Sequence, residues 1–153
     1  MKPYQVEIQI HPTVRNISHK KLQQDSQAIL KALGWSKAAL SPLLTDDAGI
    51  RPIHKNYLGD DTPTDVISFC HFEGEGPVPD WNGLPFLGDL VISVETARRE
   101  ALRHGHSLWY ELCFYVCHGL LHFEGFEDHT PARRRRMFRI QEAVLEAAGI
   151  SKK

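Results

Sequence analysis

The chain has no apolar run long enough to cross a membrane, which takes about 20 consecutive apolar residues. It also lacks the apolar core of a secretory signal, because MKPYQVEIQI alternates polar and apolar side chains. These absences lead to the expectation of an unprocessed, cytoplasmic protein with no membrane partner. Cysteine is scarce: Cys70, Cys113 and Cys117 form an odd set, which excludes a complete disulfide framework and points to reduced thiols. Cys113 and Cys117 lie four apart in an apolar helical stretch and read as small core residues before metal ligands. An excess of one charge is missing too, since the net charge is −1 with nine histidines counted neutral. No overall field marks a nucleic-acid binder, although a local basic face is enough for phosphate contact. There is no repeat and no linker. The 153 residues are expected to form one domain, 1–153, large enough to bury ~70% of its unfolded surface without disulfide staples.

Residues 4–10, YQVEIQI, alternate with period two and predict a first strand. Asn16 or Ser18 is placed to cap a helix reaching Leu33, where Gly34 stops it. LSPLLTDDAGI holds an apolar run that fits a second strand, and Asp47 is placed to cap a short helix towards Tyr57. TPTDVISF, residues 62–69, predicts a third strand after a proline turn. Residues 70–88 are rich in glycine and proline without periodicity, so a long loop is expected there, either a functional lid or a disordered segment. DLVISV, residues 89–94, reads as a strand from the middle of a sheet. A helix from Glu95 to His104 follows, closed by Gly105. Ser107 then caps the most apolar helix, which Gly125 ends. The last helix runs from Pro131 to Ala148, with Gly149 as its stop.

The most informative segment is HGLLHFEGFEDH, residues 118–129. Residues four apart on a helix share a face, so His118 and His122 project side by side. That spacing suits two imidazoles on one zinc ion at about 2.0–2.1 Å each. Gly125 lets the chain turn back and bring His129 to the same point. Three protein ligands with one open position describe a catalytic zinc site, whereas structural sites are closed by four. Asp128 is placed either to accept a ring N–H from a ligating histidine or to stand near the metal as a base. A metalloprotease site is excluded: H-E-x-x-H needs a glutamate where this chain has Gly119. The base must come from elsewhere, or from hydroxide on the metal, since zinc lowers the pKa of bound water to about 7. Nickel, copper and iron also accept imidazole.

This segment resembles the pattern H-G-x-L-H-L-x-G-Y-D-H of the YbeY family of bacterial rRNA-maturation endoribonucleases. Two further blocks agree in order and spacing. YLGDDTPTDVISF, residues 57–69, is similar to the family's Y-R-x-x-D-x-P-T-D-V-L-S-F, and LGDLVIS, residues 87–93, to its L-G-D-I-V-I-S. The resemblance implies an α+β fold in which a four-stranded mixed sheet packs against about five helices, with the histidine helix central. It also implies metal-dependent cleavage of single-stranded RNA, in maturation of the small-subunit rRNA 3′ end and in ribosome quality control. One Zn²⁺ ion would be held by His118, His122 and His129. Partners would be single-stranded rRNA, the small ribosomal subunit and a ribosomal protein.

Two departures stand out. The family pattern has one residue fewer before its third histidine. His129 is the expected third ligand because a loop absorbs a residue more easily than a site loses an imidazole, with Asp128 and Glu127 as fallbacks. The family's arginine after the tyrosine, thought to hold phosphate, is Leu58 here. Leucine cannot hold phosphate, so Lys55, Arg51 or an arginine from another element must substitute. Otherwise the chain is a non-catalytic assembly factor with a structural metal. Lys55, Arg98 and Arg103 are the expected substrate-binding residues. The basic run at 132–139 wraps round its helix, and reads as a solvated face or as part of a phosphate-tracking patch with Arg98, Arg99 and Arg103. Phe72, Trp81 and Phe86 are placed to stack on unpaired bases or simply to pack within their loop. Asp65 and Asp89 read as structural acids. A metal hydrolase acting on a small molecule is a third reading, which an apolar, closed pocket would favour.

Overall fold

A computed structural model describes residues 2–71 and 77–153. The expected Phe72 contact and part of the expected long loop lie outside the described residues. The elements in chain order are β1 (Tyr4–Val6), β2 (Gln9–Ile10), α1 (His19–Ala32), β3 (Ala38–Thr45), α2 (Asp47–Leu58), β4 (Val66–Cys70), β5 (Asp80–Trp81), β6 (Leu84–Ser93), α3 (Val94–His104), α4 (Leu108–Phe123) and α5 (Pro131–Ala147). The class is α+β, as expected. The sheet has a four-strand path, β1-β3-β6-β4, to which two-residue strands are added: β2 beside β3, and β5 beside β6. It is mixed, because β3 runs parallel to β1 and β6 while β4 is antiparallel to β6. No helix among the described residues is long and apolar enough to cross a membrane.

Period-two alternation along β6 assigns the two faces of the sheet. Leu90 and Ile92 point into the main core with α4, whereas Val91 joins Ile50 and Ile67 in a smaller cluster under α2. α4 packs between α3 and α5 and against β4 and β6. Its buried stripe includes Leu112, Cys113, Val116 and Leu120. Both helical cysteines are fully buried, and burial pushes the Cys117 thiol up to about 12, so they serve the core. Gly119 lets α4 sit tight on the sheet: a Cβ there would stand 2.3 Å from Leu90 Cδ2 and 3.0 Å from Ser68 Oγ.

Three local expectations change. The first strand is broken into β1 and β2. α2 is capped by Asp46, whose carboxylate accepts from the Gly49 amide. Asp47 instead accepts from Ser93, Thr96 and Arg99, tying α2 to the start of α3. The expected loop at 70–88 contains a hairpin: β5 and β6 pair across Asn82-Gly83, both in the left-handed region at φ 53° and 84°. Asn-Gly is the turn whose twist matches paired strands, a signal masked by the surrounding prolines and glycines.

Candidate metal centre and cleft

α4 presents a second face, on which Glu111, Phe114, Tyr115, His118 and His122 line a cleft of about 800 Å³. Spacings of three and four residues place them in one row. At the C-terminal end of the helix, the Gly125 amide donates to His122 O at 3.0 Å and the Phe126 amide to Leu121 O at 3.1 Å. These two bonds form a Schellman motif, with Gly125 at φ 92°. The reversal carries Phe126 and Asp128 back over the last turn of α4.

Both imidazoles are held from behind. Gln141 donates its amide N–H to Phe114 O at 3.1 Å, which leaves its Oε1 as the acceptor 2.9 Å from His118 Nδ1. His122 Nδ1 lies 2.9 Å from the Phe126 carbonyl, which can only accept. Each Nδ1 therefore carries a proton, so that a ring holding only this proton turns a bare Nε2 lone pair inward. The two Nε2 atoms are 3.0 Å apart. Asp128 Oδ2 stands 3.3 Å from His118 Nε2, and its Oδ1 stands 3.9 Å from His122 Nε2. Burial, then the adjacent His118, pushes the His122 pKa below the ordinary histidine value, which favours the neutral ring. Three acceptors thus converge with no donor between them, an arrangement that repels itself until a cation is supplied. His118, His122 and Asp128 form the one group of metal-ligating side chains found among the described residues, with all donor atoms within 4.8 Å of one another.

The expected third imidazole is absent from this group. His129 is exposed, and the Asp128 carboxylate stands in its place. Counted without a gap from His118, Asp128 falls where the family pattern has its last histidine, so the extra residue precedes the third donor position only if a loop bulges. Lys55, Arg98 and Arg103 are exposed, and none lines the cleft; Arg103 sits 3.7 Å from Glu100. The arginine that does line it is Arg134 on α5, while Leu58 lies at the rim and is 67% exposed. Arg51 pairs with Asp61 instead. Trp81 and Phe86 pack on each other, with ring centroids 4.9 Å apart. Asp65 accepts from the Val66 amide and Asp89 pairs with His71. Gln141 and His106 carry no sequence signal of their own, and Glu111 reads in the sequence only as a favourable charge near the N-terminus of its helix. The seven-residue interval from Glu111 to His118 was the available signal, since it spans two helical turns on one face.

The endoribonuclease YbeY family model matches residues 7–149. The chain belongs to this family. The family model and the curated relatives carry the name endoribonuclease. Similar YbeY endoribonucleases include that of Geobacter sulfurreducens, 41% identical over 139 residues that cover 88% of this chain and 91% of the relative. That of Moorella thermoacetica is 43% identical over 118 residues, covering 74% and 75% respectively. The solution structure of TM1509 from Thermotoga maritima has the same fold, with a TM-score of 0.59 at 19% identity over 94% of this chain and 88% of that one.

Proposed function

We propose that this YbeY-family chain is a zinc-dependent, single-strand-specific endoribonuclease whose ion is held by His118, His122 and Asp128. The observation that carries this reading is the convergence of two bare imidazole nitrogens and one carboxylate. The set fits zinc: catalytic zinc sites use three protein ligands, including two histidines with one carboxylate, and keep a place for water. When bound, the ion supplies Lewis acidity towards a phosphoryl oxygen and a source of hydroxide near neutral pH. The remaining work belongs to the chain. Gln141 and the Phe126 carbonyl fix the ring tautomers and orientations. Arg134 offers a phosphate contact within the cleft, with the exposed arginines of α5 beside it. Phe114 and the partly exposed Phe138, 5.5 Å apart, offer stacking faces to unpaired bases. The proposed setting is cytoplasmic maturation and quality control of the small ribosomal subunit, by one domain acting on rRNA 3′ ends.

The test combines zinc titration with cleavage of an unstructured RNA. Asp128→Ala is expected to lose both zinc and cleavage, and His129→Ala to keep both within about threefold. The reverse pattern would restore His129 as the third ligand, and cleavage that persists in chelator would end the metal mechanism. A second reading, a non-catalytic assembly factor with a structural metal, draws on the apolar Leu58 at the cleft rim. Cleavage by Leu58→Arg but not by the wild type would favour it.

A further inference from the structure

Two turns before the metal centre, about 10 Å along α4 by helical rise, the cleft holds a second polar cluster. Glu111 is 4% exposed and pairs with Nε2 of His106, itself nearly buried. His106 packs edge-on against Tyr110, with centroids 4.8 Å apart. Next along the same face, Tyr115 is 4% exposed, and its hydroxyl lies close to Glu111 but makes no well-formed hydrogen bond among the described residues. A buried hydroxyl whose hydrogen-bonding capacity is not filled is disfavoured by its lost hydration. Both side chains line the cleft.

The surroundings specify the ligand. Glu100 and Glu142 line this end of the cleft, and its one ammonium, Lys152, lies 3.6 Å from Glu142. An excess of carboxylates repels phosphate, so the nucleic-acid backbone does not seat here. A neutral group rich in N–H donors does. On an RNA strand that group is a base edge, and the separation from the metal lets a neighbouring nucleotide reach it.

We infer that Glu111 and Tyr115, with His106 positioning the carboxylate, form a base-reading subsite for an unpaired nucleobase bearing an exocyclic amino group. The inference rests on the ribonuclease reading for its substrate class. The amino group donates to the Glu111 carboxylate, and the Tyr115 hydroxyl meets the adjoining ring edge. Uracil is disfavoured, because the carbonyls flanking its N3–H point at the carboxylate. The result is a preference for the base at a fixed distance from the scissile bond.

The test uses the full chain and short single-stranded RNAs that differ by adenine, cytosine or uracil at one position. Binding is read by fluorescence anisotropy, and cleavage separately. The wild type is expected to bind the amino-bearing RNAs about tenfold more tightly than the uracil RNA. Glu111→Gln replaces an acceptor by an amide that also donates to uracil O4, so it is expected to bring the ratio within about twofold of unity. Tyr115→Phe is expected to reduce the ratio several-fold while leaving the melting temperature unchanged or raised, which a purely structural hydroxyl would not do. Binding indifferent to the base, or a preference untouched by both variants, overturns the subsite. Base-selective binding without any cleavage supports the subsite and counts against the nuclease reading alone.

Discussion

Replacing Gln141 by leucine tests the metal centre through a residue that never touches the ion. Gln141 is fully buried, and its Oε1 receives the His118 Nδ1 proton at 2.9 Å. Leucine has similar bulk but no acceptor. The His118 N–H then loses its partner beneath a side chain that is only 13% exposed, which costs about 1–3 kcal/mol of folding free energy. The second lost bond, from Gln141 to Phe114 O, adds less because that carbonyl lies within a helix and keeps its intrahelical donor. The larger effect falls on metal binding. Without Gln141 the His118 ring is free to move its proton to Nε2, the atom that must stay bare. Loss of such an outer partner typically lowers metal affinity by about 10- to 100-fold, or about 1.4–2.8 kcal/mol. Zinc affinity by chelator competition, together with thermal melts in chelator, separates the two effects. Gln141→Glu restores the acceptor and is expected to recover most of the affinity while destabilising the apo fold by burying a charge. Unchanged zinc affinity in Gln141→Leu would refute the claim that Gln141 sets the His118 tautomer.

Gly119→Ala is expected to destabilise by about 1–3 kcal/mol, read by denaturant midpoint, because its methyl enters the space of Leu90 Cδ2 and forces α4 off the sheet. A midpoint equal to wild type would show that the helix has room to shift. An acid limb is expected from Asp47. Burial pushes this carboxyl up, but hydrogen bonds from Ser93, Arg99 and Thr96 outweigh burial and hold it below its ordinary value of about 3.9. A lowered folded-state pKa contributes stability above the unfolded value and loses it as pH falls through the folded one. Wild type and Asp47→Asn should therefore differ most above about pH 4 and converge below it, as followed by melting temperature; parallel curves would remove Asp47 from the acid response. Breaking the hairpin with Gly83→Val, which strains a residue at φ 84°, is expected to cost about 1–2 kcal/mol without altering zinc affinity. A loss of zinc binding there would couple the hairpin to the metal centre.

Much of this protein is readable from local sequence, because the signals concerned act within a few residues. Ser18, Ser107 and Thr130-Pro131 start α1, α4 and α5 where side-chain oxygens meet free amides. The four-residue spacing of His118 and His122 puts two imidazoles on one face before any tertiary contact forms. The three motif blocks carry the family, and Gly119 alone excludes the metalloprotease mechanism. What lay beyond the sequence depends on contacts between distant segments. Whether Asp128 or His129 closes the site depends on how the turn after Gly125 lies over the last turn of α4, a matter of backbone geometry that residue types alone do not express. Gln141 enters only because α5 folds back along α4, and the arginine lining the cleft is Arg134, not Arg98 or Arg103, for the same reason. Spacing along one helix is set by the covalent chain, whereas convergence between elements is set by packing, and the candidate metal centre of this protein is made by the second.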